Sequence, residues 1–349
     1  MITDWGFPDF DAHEGVHLFS DSKSGMHAII AVHSTALGPS SGGVRFWHYS
    51  DARAAITDAL RLSRGMSYKS AMAGLPIGGG KGVILADRPG TRPSEAVLAA
   101  FGDAIESLGG RYITAEDVGL SEAGMQAIAT RTRYVSGLPV GEGQAGGDPG
   151  PVTARGVYFG VKAAAKRALG VDSMAGVRVA IQGAGSVGGG LARLLAADGA
   201  KLLIADVHAD KAAALAAELG AETLAADEIL FADVDIVSPN ALGAILNEGS
   251  IPRITAKVIA GGANNQLALP EDGARVHARG ILYAPDYVIN AGGIINVCIE
   301  YLGLGDAAEV EARVARIPDR LAQVWDESAA TGDPASDVAD RIAQRLIGR

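Results

Sequence analysis

Lys69 and Lys81 stand twelve positions apart in the segment from Met66 to Gly82, and the second lysine sits among Gly78, Gly79, Gly80 and Gly82. Glycines let backbone come close to a ligand and adopt positive φ, so a lysine planted there points into a constrained site. Two ammonium groups in one pocket repel each other, which lowers the pKa of at least one and makes it a base near neutral pH. The plain alternative is a glycine-rich surface turn with solvated lysines. Asp117 follows the apolar run Tyr112–Ala115, at a strand end, where α/β proteins collect ligand-binding groups. An acid beside a cationic pocket can carry protons; a turn aspartate at a helix N-terminus fits the same string.

Gly183-Ala184-Gly185-Ser186-Val187-Gly188 reads GxGxxG. With 47 glycines in 349 residues, about one such match arises by chance. Gly141-Glu142-Gly143-Gln144-Ala145-Gly146 is a second match, but it follows no strand and runs into Asp148, Pro149 and Pro151, so it is a decoy. The match at Gly183 has an apolar strand, Val177–Ile181, before it and a helix, Val187–Ala197, after it. Gly183 then serves the tight turn, Gly185 the approach of a pyrophosphate to amides at the helix N-terminus, and Gly188 close helix–strand packing. Asp206 ends the next strand, Lys201–Ala205, eighteen residues beyond Gly188, where an acid accepts from ribose hydroxyls and repels a 2′-phosphate. That favours NAD over NADP, with His208 the residue that complicates the choice.

His13-Glu14-Gly15-Val16-His17 matches the HExxH string of zinc proteases. Both imidazoles must then lie on one helix face, whereas Gly15 and Val16 weaken a helix and Val16–Phe19 reads as extended. On a strand, residues four apart are separated by about 13 Å, so no metal is expected. Asn264 and Asn265, after the strand Val258–Ala260 and two glycines, suit carboxylate or carboxamide recognition, or an ordinary turn. Ile294 and Val297, three apart at the start of a glycine-led helix, share a face and suit either core or the floor of an apolar pocket.

The elements that must position these groups form two domains, the default for a chain of 349 residues. The first is mixed α/β, with a strand at Met26–Val32, a helix Asp51–Arg64 capped by Ser50, a strand Val83–Leu85 after the lysine loop, a helix from Ser94, and Tyr112–Ala115. The glycine- and proline-rich stretch from Ser136 to Pro151 marks the boundary. A helix begins near Thr153, and strands at Val177–Ile181, Lys201–Ala205, Val234–Val237, Val258–Ala260 and Ile281–Tyr283 alternate with helices, the pattern of a doubly wound parallel sheet. A last helix starts at Ala307 and bends at Pro318. The domains read as 1–140, completed by C-terminal helices in 325–349, and 141–324, with a cleft between them.

Hydrophobic residues make up 48% of the chain and charged residues 20%, as in globular proteins. The net charge of −10 argues against nucleic-acid and anionic-membrane partners. Cys298 is the single cysteine, so an intrachain disulfide is impossible and a reducing compartment is expected. Met1-Ile2-Thr3-Asp4-Trp5 lacks the basic and apolar regions of a signal peptide, and no run of 18 apolar residues occurs, which points to a cytoplasmic protein.

From about Ala28 to about Arg341 the chain resembles the glutamate/leucine/phenylalanine/valine dehydrogenases, with leucine dehydrogenases the most similar. The resemblance rests on Leu37-Gly38-Pro39 with Gly42-Gly43-Val44-Arg45, Leu75-Pro76-Ile77-Gly78-Gly79-Gly80-Lys81, the segments Gly110–Gly119 and Pro151–Ala154, Ala263-Asn264-Asn265-Gln266, and the segment Tyr283–Gly293. It implies NAD-dependent, reversible oxidative deamination of an L-amino acid to a 2-oxo acid and ammonia by a homo-oligomer. It also implies that Lys69 and Asn264 bind the substrate carboxylate, that Lys81 is the general base, that Asp117 carries protons, and that Thr153 contacts the nicotinamide carboxamide. Asn240 is grouped with the cofactor residues, and Gly43 with the substrate residues. Where glutamate dehydrogenases carry lysine before the glycine pair, and leucine dehydrogenases usually leucine, this chain has Ser41. With no cation there and with Ile294 and Val297 opposite, a glutamate side chain would be buried unpaired at a cost of several kcal/mol. Ser41 and Ala115 leave room for an aromatic side chain as well as a branched aliphatic one. A non-catalytic dinucleotide sensor is the reading from another functional class.

Overall fold

The computed structural model describes residues 5–139, 141 and 143–349. Residues 1–4, with most of the N-terminal string, and Glu142 of the second GxGxxG match lie outside the described residues. The chain divides into two compact units, Met1–Gly147 with Val297–Ala307 and Ala343–Arg349, and Asp148–Asn296 with Ala308–Ile342. The boundary thus falls after Gly147 rather than after residue 140. Residues 325–342, expected with the first unit, group with the second. Their anchors are there: the Trp325 indole donates to the Tyr283 carbonyl, and Arg167 pairs with Asp326.

In the first unit β1 (Gly15–Asp21), β2 (Met26–Ser34) and β3 (Ser40–Trp47) precede α1 (Ala52–Met72), followed by β4 (Gly78–Leu85), α2 (Glu95–Ser107), β5 (Tyr112–Glu116) and α3 (Glu122–Ala129). The sheet order is β1-β2-β4-β3-β5, with β4 in the centre, antiparallel to β2 and parallel to β3. Two corrections concern the lysines. Lys69 lies in the last turn of α1, which continues beyond Arg64 and is capped by Asp51 rather than Ser50. Lys81 and its glycines are strand, not loop. The glycines are required by close approach: a Cβ on Gly78 would strike the Ser34 carbonyl, one on Gly79 the Ser67 amide of α1, and one on Gly80 would stand 2.7 Å from the Tyr112 ring. None of them has positive φ. One sheet face packs Ile29, Ala31 and Val83 against Ala55 and Ala59 of α1, and the other packs Ile30, Val44 and Ile84 against Leu98, Phe101 and Ile105 of α2.

The second unit begins with α4 (Pro149–Leu169), which starts earlier than Thr153 because prolines are tolerated in a first helical turn. Then come β6 (Arg178–Gln182), α5 (Ser186–Ala197), β7 (Lys201–Ala205), α6 (Ala209–Leu219), β8 (Glu222–Thr223), β9 (Ile236–Pro239), β10 (Val258–Ile259), α7 (Glu271–Ala278), β11 (Leu282–Tyr283) and α8 (Asp286–Ile289). These strands form one all-parallel sheet in the order β11-β10-β9-β6-β7-β8. Counted from β6, this is the doubly wound order 3-2-1-4-5-6 of dinucleotide-binding folds. Helices α9 (Gly292–Leu302), α10 (Ala307–Val314), α11 (Ile317–Thr331) and α12 (Ala335–Leu346) complete the chain. The bend expected at Pro318 is instead a break before Ile317, with the proline in the first turn of α11. No helix among the described residues is long and apolar enough to cross a membrane.

Candidate active site

Alternation along the strands decides which groups meet in the first unit. β3 runs between β4 and β5, with Ser41 opposite Gly79, Val44 opposite Gly82 and Gly43 opposite Ala115. Gly43 therefore lies level with Lys81, and Arg45 level with the residue just past β5, Asp117. Side chains two apart share a face, so Ser41, Gly43, Arg45, Lys81, Ala115 and Asp117 all face the α1 side. Asp117 and Lys81 come from strands on opposite sides of β3, and they touch because Gly43 puts nothing between them. A Cβ on Gly43 would sit 2.8 Å from that of Asp117.

The Lys81 Nζ donates to Asp117 Oδ2 at 2.5 Å. Lys81 is 6% exposed, and burial pushes its ammonium below the ordinary lysine value against the opposing pull of Asp117, with the Arg45 charge adding to the depression. Lys69, the cation expected to depress it, is not among the leading causes. Burial would raise the Asp117 carboxyl, but Lys81 and Arg45 outweigh it and hold the group below its usual range. Arg45 and its partners were not singled out from the sequence. Its Nε donates to the same Asp117 oxygen at 3.1 Å and its guanidinium to Asp58 Oδ2 at 2.9 Å, where the Tyr49 hydroxyl also donates at 2.5 Å. The signal was the alternation itself: Arg45 is two residues beyond Gly43 on one strand. Behind it a polar cavity of about 600 Å³ is lined by Arg45, Tyr49, Asp58 and Arg61, among others.

Lys69 is half-buried on α1, eleven residues after Asp58 and so on the same stripe of the helix. Ser41 is 6% exposed and Ala115 half-buried. Gly43 is explained by clearance for Asp117. His17 lies on β1, extended as expected, and His13 in the loop before it, with Nε2 3.0 Å from the Leu60 carbonyl and 3.1 Å from Ser63 Oγ.

In the second unit the Gly183–Gly188 turn opens α5 beside β9, where strand order reverses. Gly183 takes φ 96°, a left-handed value open to glycine. A Cβ on Gly188 would strike the Gly183 carbonyl, while one on Gly185 would meet nothing within 4 Å. No side chain caps α5, so its first amides stay available to an anion. Ala184 and Ser186 lie in this turn, and Val187 stands 2.8 Å from the Cβ position of Gly262. Asp206 accepts from the Ala184 amide at 2.7 Å and the His208 amide at 2.8 Å. Asn240, just past β9, donates its backbone N–H to the Gln182 carbonyl and accepts from Gly262 N–H through its side-chain oxygen at 2.8 Å. This glycine cradle, with its strand-end acid, fits a dinucleotide.

Asn264 is exposed and accepts from the Asn290 side chain at 2.7 Å, which also donates to the Gly262 carbonyl. Asn290 is a site neighbour that the sequence suggested only as part of a motif. Thr153 donates to the Pro149 carbonyl, and a Cβ on Gly293 would be 2.9 Å from its Oγ1. Ile294 is buried and Val297 half-buried, three apart on α9.

A doubly wound parallel sheet whose glycine turn fits a dinucleotide, in one chain with a unit that buries a lysine–carboxylate ion pair, is the pattern of an α/β dehydrogenase. Comparison narrows this. The Glu/Leu/Phe/Val dehydrogenase dimerisation domain matches residues 13–134, and the Glutamate/Leucine/Phenylalanine/Valine dehydrogenase domain matches 204–343. The leucine dehydrogenase of Bacillus subtilis is 47% identical over 337 residues, 97% of this chain and 92% of that protein. The valine dehydrogenase of Streptomyces albus is 44% identical over 342 residues, 97% and 93% of the two chains. The crystal structure of L-tryptophan dehydrogenase from Nostoc punctiforme superposes with a TM-score of 0.85 at 40% identity, covering 96% of each chain. The chain belongs to the glutamate/leucine/phenylalanine/valine dehydrogenase family.

Proposed function

We propose that the protein catalyses NAD-dependent, reversible oxidative deamination of a nonpolar L-amino acid, branched-chain and leucine-like, to its 2-oxo acid and ammonia. One observation carries the reading: the Lys81 ammonium is buried against Asp117 at 2.5 Å in a chain 47% identical to a leucine dehydrogenase. NAD, when bound, would supply the acceptor for the hydride that leaves the substrate Cα. The Gly183–Gly188 turn would hold its pyrophosphate, Asp206 its adenosine ribose and Thr153 its nicotinamide carboxamide, with Asn240 a further cofactor residue. Asp117 takes the proton from the substrate ammonium. Lys81 in its neutral form removes a proton from the water that attacks the iminium carbon, and a base is suited to this when it titrates near the working pH. Lys69 and Asn264 bind the substrate carboxylate.

Ser41, Ala115, Ile294 and Val297 face the substrate side chain in this reading. None of the four carries charge, so a buried glutamate carboxylate would gain no partner from them. Phenylalanine or another aromatic amino acid is the second reading, supported by the small Ser41 and by a relative named for tryptophan. The protein acts as a cytoplasmic homo-oligomer, supported by the dimerisation-domain match and by the single cysteine. The test is NADH formation across a panel of L-amino acids, with NAD and with NADP. Turnover on leucine, valine or phenylalanine but not glutamate is expected; no turnover on any of them would refute the reading.

A further inference from the structure

We infer that Arg45 is a positioning residue for the reaction: held by Asp58, it fixes the Asp117 carboxylate on Lys81 and sets the pH at which Lys81 becomes a base. This rests on the reading of Lys81 and Asp117 as the acid–base pair. The geometry is that of a bridged chain. Arg45 donates through Nε to Asp117 Oδ2 and through a terminal nitrogen to Asp58 Oδ2, at 3.1 and 2.9 Å. A planar guanidinium makes two such directed bonds from fixed positions. Asp58 is itself fixed by the Tyr49 hydroxyl at 2.5 Å. Asp117 follows β5 and has no helix of its own to orient it; its other observed cationic partner is the one that must give up a proton.

The consequence is electrostatic as well as steric. Lys81 Nζ and Arg45 Nε bond the same oxygen at 2.5 and 3.1 Å, so the two cations stand within about 6 Å, the range in which like charges shift a pKa by a unit or more. Lys81 is nine-tenths buried, and the Arg45 and Asp117 side chains are about three-quarters covered, so solvent screens them incompletely. The charged groups acting on Lys81 are Asp117 beyond β5, Arg45 from β3 and Asp58 from α1, with Lys69, in the last turn of α1, not among the leading ones; the buried phenol of Tyr112 from β5 lies on the opposite, α2 face of the sheet. From β2, on its other side, the residue opposite is Ala31. Arg45 depresses the lysine and Asp58 opposes it, so removing either charge moves the titration in opposite directions.

The test is the pH dependence of kcat/KM for amino-acid oxidation in the full-length enzyme. Arg45→Gln is expected to move the ascending limb, along which Lys81 loses its proton, upward by about one pH unit and to lower kcat more than it changes KM. Arg45→Lys keeps the charge but loses the fork, so the limb stays near that of the parent while kcat falls. Asp58→Asn is expected to move the limb downward. A folded Arg45→Gln enzyme with an unshifted limb overturns the inference. If Arg45→Gln does not fold, Asp58→Asn decides: a downward shift supports the inference, and an unshifted or raised limb overturns it. A parent enzyme inactive on the whole panel would instead refute the proposed function, so the two failures are distinguishable.

Discussion

Replacing Gly43 with alanine would place a methyl group 2.8 Å from the Asp117 Cβ and 2.9 Å from the Glu116 carbonyl oxygen. Carbon atoms in contact settle at about 3.5–4.0 Å, so Asp117 must retreat by about 1 Å or β5 must shift with it. Either movement lengthens the 2.5 Å bond to Lys81. A misplacement of about 1 Å in a reacting constellation costs about 100-fold in rate, whereas overpacking of this kind costs about 1–3 kcal/mol of stability. For a folding unit of this size each kcal/mol lowers Tm by about 2–4 °C. The alanine variant is therefore expected to fold, to melt a few degrees lower, and to lose about two orders of magnitude in kcat for L-leucine oxidation. NADH absorbance gives the rate, and a thermal melt by circular dichroism shows that the fold is retained. Refutation is a folded variant whose kcat lies within threefold of the parent, since the Lys81–Asp117 contact would then not depend on the missing side chain.

Asp117→Asn removes the anion that holds Lys81 protonated; kcat is expected to fall by about 10²–10⁴-fold, with any residual activity shifted to lower pH, read from rate profiles. Asp206→Ala frees the Ala184 and His208 amides and removes the acid that repels a 2′-phosphate. Quenching titrations should show NADH binding about tenfold weaker, from the loss of about 1.4 kcal/mol, and the preference over NADPH reduced. His33 is fully buried, and burial, with Arg349 and His13 nearby, pushes it down to about 3. Its folded pKa lies below the unfolded one near 6.5, so the neutral form's stability is fully present above pH 6.5 and drains away as pH falls toward 3. His33→Gln should flatten the decline of Tm over that interval, and an unchanged slope would contradict it.

The second unit was legible because its strands are continuous apolar runs, buried on both faces, and because GxGxxG was flanked by a strand and a helix. The first unit was harder. Gly78–Gly82 reads as a loop since glycine lacks strand propensity, yet Ser67 of α1 and the Tyr112 ring come so close that no side chain fits. Lys69 was separated from its helix by the same glycine-rich reading. Alternation from Gly43 marks the face that Arg45 takes, but its partners escaped notice because Asp117 meets it through the β3-β5 register and Asp58 through the packing of α1 on the sheet, non-local properties that no spacing along the chain encodes. Lys81 with Asp117 was anticipated as a pair; partial burial, read as one cause of the depression, leads it, while the cation that adds to it is Arg45 rather than Lys69.

The most direct test is the pH profile of kcat/KM for L-leucine oxidation in the parent and in Lys81→Ala. A rise with pH is expected in the parent, with an apparent pKa below the ordinary lysine value of 10.5, and a loss of about 10²–10⁴-fold in the alanine variant together with that limb. Retention of activity and of the same limb in Lys81→Ala would contradict the assignment of the base.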